Sequence, residues 1–242
     1  MALYLISDIH IKMDGQNFEI LMSFLSQDFN SDDEVFLLGD IFDLLIGPHK
    51  EYKEIYEKFF DKVDKLITDG IKIHYFEGNH DFHLERLLES HGIRIHKEPF
   101  VSEYFGHKIL FCHGDEIQLG NLSYKIYKNF IQSRPLNVVA NYMMPFKLLN
   151  TIGMNASKQS RKRNKNRYGD PQSNLRIKES FRRAAENARD KYSVDYVLCG
   201  HSHYKDDYTW ENYRYLNCGY LPYTKCFIYF DSEKIEFRDI NL

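Results

Sequence analysis

Five short apolar runs in this chain each stop at side chains able to ligate a cation. ALYLIS (2–7) runs into Asp8-Ile9-His10, EVFLL (34–38) into Gly39-Asp40-Ile41-Phe42-Asp43, and KIHYF (72–76) into Glu77-Gly78-Asn79-His80-Asp81. KILFC (108–112) runs into His113-Gly114-Asp115, and DYVLC (195–199) into Gly200-His201-Ser202-His203. Runs of this length and composition read as buried strands. Amphipathic stretches separate the first three: Phe18, Leu21, Met22, Leu25 and Phe29 follow helical spacing, as do Tyr52, Ile55, Tyr56, Phe59, Val63, Leu66 and Ile67 before Gly70. Strands alternating with helices predict parallel pairing, and ligands of such sheets sit beyond the carboxyl ends of the strands. The five polar ends should therefore converge on one edge.

The rest of the chain divides into a helical and a strand-rich part. A short helix is expected around Leu84–Leu88, then alternation from Ile93 to Glu103 and a strand in HKILFC (107–112). From Leu122 to about Lys191 the pattern is helical, ending in a helix that places Leu175, Ile177, Phe181, Ala184, Ala185, Ala188 and Tyr192 on one face. Strands return in VDYVLC, YRYLNC, KCFIYF and KIEFRDI. The expectation is one α/β domain over residues 1–242, with a helical insertion at about 120–191. A chain of 242 residues that is 43% hydrophobic has enough apolar material for one sizeable core.

Composition narrows the function classes. A net charge of −3 gives no global attraction to nucleic acid, and no protein partner is evident from the sequence. The four cysteines form no Cys-x-x-Cys pair and read as reduced, buried thiols of a cytoplasmic protein. MALYLISDIH has no basic start and reaches Asp8 too early for a signal peptide, and no run approaches the ~20 apolar residues of a membrane span.

Spacing restricts what the polar ends can do. Asp8 and His10, two residues apart in extended chain, project to one side, as do His201 and His203. With Asp40, Asn79 and His113 they make a seven-member ligand set for two adjacent divalent ions. Its mixture of nitrogen and oxygen suits Mn, Fe or Zn; it is too rich in nitrogen for Ca or Mg and lacks the thiolates of structural zinc. Asp43 and Asp81 read as acceptors that hold ligating histidines in place. His49, His74, His91, His96 and His107 lack this placement and read as structural.

The ordered set D-x-H, G-D-x-x-D, G-N-H-D, H-G-D and G-H-x-H, from Asp8 to His203, resembles the signature of the calcineurin-like metallophosphoesterase superfamily. The resemblance implies a four-layered α/β/β/α sandwich and two metal sites. Metal A would be held by Asp8, His10, Asp40 and His203, and metal B by Asp40, Asn79, His113 and His201, with Asp40 bridging. It also implies a catalytic role for His80, which would offer a proton or hydrogen bond to phosphoryl oxygens with Asp81 raising its basicity.

A narrower resemblance is carried by GDIFDLLIG (39–47), HGDEIQLGNLSYK (113–125), the helical insertion and YLNCGYL (215–221), which are similar to the UDP-2,3-diacylglucosamine hydrolases. That branch implies Mn-dependent release of UMP from UDP-2,3-diacylglucosamine in lipid A synthesis, at the membrane surface. The alternative is a related enzyme acting on another nucleotide, phospholipid or phosphomonoester or diester. Asn121, Tyr124 and the basic residues Lys158, Arg161, Lys162 and Lys165 would contact a phosphorylated small-molecule or lipid substrate. The chain departs from the branch at His80 and Tyr204, where arginine is usual, and at Gly120 and Asn121, where acidic residues are usual.

Overall fold

The computed structural model describes residues 1–120, 122–155 and 171–242. Its first half builds β1 (Leu3–Ile6), α1 (Phe18–Phe24), β2 (Glu34–Leu37), β3 (Leu45–Ile46), α2 (Lys50–Ile55), α3 (Glu57–Thr68), β4 (Lys72–Phe76), β5 (Asp81–Phe82), α4 (Glu85–Leu88), β6 (Arg94–His96), β7 (Phe100–Tyr104) and β8 (His107–Phe111). A helical stretch follows: α5 (Leu122–Ile131), α6 (Arg134–Val138), a π-helical turn (Val139–Met143) and α7 (146–155). The chain closes with α8 (Pro171–Tyr192), β9 (Tyr196–Cys199), β10 (Lys205–Trp210), β11 (Tyr213–Cys218), α9 (Leu221–Thr224), β12 (Cys226–Phe230) and β13 (Ile235–Asp239).

Two mixed sheets form the body. One has the order β13-β12-β1-β2-β4-β6 and the other β10-β11-β9-β8-β7; β3 and β5 make a separate parallel pair. The parallel pairing expected of the alternating elements is present in β1-β2-β4-β6 and β8-β9-β11, and antiparallel strands close three of the four edges, β6 being a parallel edge.

Side-chain alternation explains the layering. Along β8, β9 and β11, Ile109, Phe111, Leu198, Leu216 and Cys218 join the core between the sheets, where Phe36 of β2 stacks on Phe111 at 4.3 Å. Their neighbours Leu110, Cys112, Val197, Cys199, Tyr213 and Tyr215 face outward and are covered by Phe181, Ala184, Ala185 and Ala188 of α8. Phe24 of α1, 5.5 Å from Phe227 of β12, and Phe59, Phe60, Val63 and Leu66 of α3 extend the same apolar cluster over the other face of the first sheet, so both faces of each sheet are apolar. The order is α/β/β/α.

Three elements differ from the sequence pattern. The stretch from Tyr52 to Ile67 is two helices, because Tyr56 (φ −112°) leaves the helical region where its ring packs on Phe42 at 4.5 Å. The first helix ends at Phe24, and Phe29 instead packs its edge on Tyr4. β10 was unmarked by apolar alternation: it is a charged edge strand, held by a two-pronged pair between Arg182 of α8 and buried Asp206.

Candidate metal centre

The loops after β1, β2, β4, β8 and β9 meet at one edge of the two sheets. Backbone N–H groups of Asp8, His10 and Ile11 donate to the carbonyls of Gly39, Asp40 and Ile41, zipping the first two loops together. Asp8, His10, Asp40, His201 and His203 all have positive φ, between 51° and 65°. Non-glycine residues occupy that region at a cost, of order 1 kcal/mol each, which is typical of functional sites whose surroundings over-determine the backbone. Glycine clears the space between them. A Cβ on Gly78 would lie 2.3 Å from Asp40 Oδ1, and one on Gly200 would lie 2.4 Å from Asp8 Oδ2.

Asp8, His10, Asp40 and His203 place one donor atom each within 4.8 Å of one another, and so do Asp40, His113 and His201. Asp40 belongs to both sets: its Oδ2 lies 3.7 Å from His10 Nε2 and 3.6 Å from His113 Nε2. Asn79 lies beside the second set, with Oδ1 3.4 Å from His113 Nε2. A third group, His10, Asp43 and His80, adjoins the first and was not foreseen as a unit.

These residues fit a pair of cations. Asp8 Oδ1 is buried without a hydrogen-bond donor among the described residues, facing His203 Nε2 at 3.3 Å. His10 and His203 confront each other through Nε2 at 3.2 Å, as do His113 Nε2 and His201 Nδ1. His113 Nδ1 donates to the Leu38 carbonyl at 2.8 Å, which turns Nε2 to the centre. Burial lowers His10 to about 3 and His201 to about 4, so both are neutral at pH 7. Burial also opposes charge on His113, yet Asp40, Asp115 and Asp8 raise it to about 10. Converging lone pairs and a surplus of buried carboxylate are what a divalent ion satisfies.

Asp81 requires a correction. Its carboxylate accepts the backbone N–H groups of Asp40, Ile41, Phe42 and Gly78 and the Tyr75 hydroxyl, at 2.5–3.3 Å. It therefore fixes the Asp40 loop rather than standing behind His80. The partner of His80 is Asp43: His80 Nδ1 donates to the Asp43 carbonyl at 3.0 Å, and the His80 backbone N–H donates to Asp40 Oδ1.

The helices after residue 120 touch two of these loops. Lys128 of α5 reaches buried Asp115 at 2.6 Å, Gln132 donates to the Gly78 carbonyl, and buried His83 links Ile131 and Asn137 to β5. Sequence reasoning placed Asp115 in the H-G-D motif without a role and missed Lys128 and His83; of these two, His83, two residues past G-N-H-D, lay close enough to a motif to invite notice. Tyr124 falls on α5, whereas Asn121, Lys158, Arg161, Lys162 and Lys165 lie outside the described residues. The four cysteines are free and buried.

Residues 1–205 match the family model described as calcineurin-like phosphoesterase. The chain belongs to that family. Among its relatives, UDP-2,3-diacylglucosamine hydrolase of Haemophilus ducreyi is 24% identical over 205 residues, covering 84% of each chain. The same-named protein of Actinobacillus succinogenes is 26% identical over 83% of each, and that of Escherichia coli 22% identical over 84% of this chain and 82% of its own. Solved structures that align include a novel archaeal phosphodiesterase (TM-score 0.48, 14% identity, 100% of both chains) and zinc-complexed Vps29 of Entamoeba histolytica (0.44, 15%, 100% of both). As a calcineurin-like phosphoesterase the chain is a metal-dependent phosphoester hydrolase, and its ligand groups are candidates for the divalent ions that the family implies. Among the described residues no helix is long and apolar enough to cross a membrane.

Proposed function

We propose that this phosphoesterase hydrolyses the diphosphate of UDP-2,3-diacylglucosamine or a close analogue, releasing UMP and the acylated sugar 1-phosphate in lipid A synthesis. The observation that carries a dinuclear reaction is Asp40 Oδ2, set between His10 and His113 at nearly equal distances. Metal A is assigned to Asp8, His10, Asp40 and His203, and metal B to Asp40, Asn79, His113 and His201, with Mn as the native ion. When bound, the two ions lower the pKa of the attacking water and offset charge on the phosphoryl oxygens.

The chain's own groups do the remaining work. Asp81 and the Leu38 carbonyl hold Asp40 and His113 in position through the hydrogen bonds described above. His80, its Nδ1 engaged by Asp43, has Nε2 left to hold a proton or hydrogen bond at a phosphoryl oxygen. An arginine would offer a fixed charge there; histidine at this position favours, as a second reading, a related nucleotide or phospholipid ester.

The helices supply the amphiphile reading. Ile126, Phe130, Val138, Tyr142, Met143, Leu148 and Ile152 are exposed on α5 to α7, which supports an apolar ligand there. We assign these helices as a cap for acyl chains, with Tyr124 and the basic residues of 157–167 as substrate contacts and the anionic membrane surface as its setting. A substrate panel in Mn buffer tests the assignment. UDP-2,3-diacylglucosamine should exceed UDP-N-acetylglucosamine by at least about tenfold in kcat/KM, since each buried methylene contributes about 0.8 kcal/mol. Equal rates, or turnover confined to simple phosphodiesters, would reject it.

A further inference from the structure

A turn that carries none of the candidate ligands, at the end of YLNCGYL (215–221), is tied directly to the metal centre. The backbone N–H of Tyr220 donates to the His203 carbonyl at 3.1 Å, and that of Leu221 donates to the Asp8 carbonyl at 3.1 Å. Leu221 is fully buried, so α9 is pinned to two ligand-bearing loops by backbone and side chain together. Gly219 (φ +72°) lets the chain turn here: a Cβ would sit 2.5 Å from the Lys205 backbone nitrogen.

Rings extend outward from this anchor. His10 and His203 lie with centroids 5.1 Å apart, Tyr220 stacks on His203 at 5.3 Å and 26°, and Tyr223 meets Tyr220 at 5.0 Å and 74°. Tyr223 is 85% exposed, the highest value of any large hydrophobic side chain among the described residues. A lone exposed tyrosine needs no explanation. This one ends a series of rings that begins at candidate ligands of metal A, on a backbone that cannot move independently of them.

The geometry points to Tyr220 and Tyr223 as an aromatic platform that receives the planar base of a nucleotide substrate on the His10–His203 side of the centre. The inference rests on the nucleotide reading above and deepens it by assigning a place to the base. The two sides of the centre are lined by different elements. Lys128 of α5 and Gln132 after it engage the loops of His113 and Asn79, where the neighbouring helices expose Ile126, Phe130 and Val138, whereas α9 engages the loops of Asp8 and His203 and presents two tyrosine rings. A diphosphate with one acylated and one nucleoside arm matches both walls, and aromatic stacking accepts any base because every base has a π-face. Tyr220 has a second task as a positioning residue for His203.

The test compares UMP with ribose 5-phosphate, which carries the same phosphate and sugar without the base, by calorimetric titration of the Mn-loaded full chain. The wild type should bind UMP about tenfold more tightly, the lower half of what base stacking on an aromatic side chain gives. Tyr223→Ala, a change at an exposed position that leaves the core intact, should bring the two affinities together. Tyr223→Phe should preserve the difference. Equal affinities in the wild type, or full discrimination in Tyr223→Ala, would overturn the platform. The same protein preparation is assayed with UDP-2,3-diacylglucosamine: discrimination that depends on Tyr223 without hydrolysis of this substrate sustains the platform and rejects the proposed substrate alone.

Discussion

The ligand-bearing loops and the helices of residues 122–155 adjoin each other and are built to opposite rules. In the loops, Asp8, Asp40 and His113 are at most 1% exposed, five candidate ligands hold positive φ, and Asp81 alone secures four backbone N–H groups. In the helices, Phe130, Tyr142 and Met143 are exposed, and attachment to the body among the described residues includes Lys128 with Asp115, His83 with Ile131 and Asn137, Gln132 with Gly78, Phe146 with His49 and Tyr52, and an apolar cluster of Leu44, Ile46, Phe82, Ala140 and Leu149. The difference teaches which part is pre-organised for chemistry. Strained loops with over-determined backbones hold charge in a fixed place; the helices carry no such constraint among the described residues.

The largest expected effect breaks the loops. Asp40→Ala should lower kcat/KM by more than about 100-fold with an unchanged circular dichroism spectrum, because even outer partners of metal ligands are worth 10–100-fold. Chelation should act likewise, and added Mn should reverse it. Near-wild-type turnover of Asp40→Ala in Mn buffer would end the dinuclear assignment.

Cutting the tie between the two regions comes next. Lys128→Met leaves Asp115 buried without its cation, and urea denaturation should show a loss of about 3–5 kcal/mol, as when one partner of a buried pair is removed. Removing both charges in Lys128→Met/Asp115→Leu should recover most of that loss. A Lys128→Met cost below about 1 kcal/mol would show that the clamp is not desolvated.

A pH effect should arise away from both regions, and so serves as a control on them. His96 is lowered to about 4, first by burial and then by His74 and Arg94, with His74 Nδ1 2.9 Å from His96 Nε2. Between about 6.5 and 4 the unfolded chain therefore binds more protons than the folded one, so stability falls as pH drops through that window and is flat above it. Burial would raise Glu34, but bonds from His74, Lys72 and Tyr104 outweigh it and lower Glu34 to about 2. Its contribution is complete above about 4.5 and is lost below, so the two groups separate on the pH axis. Urea midpoints at pH 7 and 5 should differ less in His96→Phe than in wild type; equal differences would assign the effect elsewhere.

The smallest effect is expected on the helical surface. Arg183 and Glu179 of α8 form an exposed pair at 3.9 Å, so Arg183→Ala should change stability by no more than about 0.5 kcal/mol. A larger change would mean that the surface pair is coupled to the packing of α8.

The sequence by itself determined the strand ends and the chemistry of their side chains. Asp8, His10, Asp40, Asn79, His113, His201 and His203 could be named because a buried strand has a recognisable composition, its end has a fixed position, and the ligating power of a side chain is a property of its type. Only the tertiary structure decided that Asp81 serves the backbone of residues 40–42, that Lys128 finds Asp115, and that Tyr220 lies on His203. These pairings join residues from different loops and helices, and no local periodicity encodes them. They exist because two sheets must share one apolar interior, and closing that interior brings separate chain ends to a single edge.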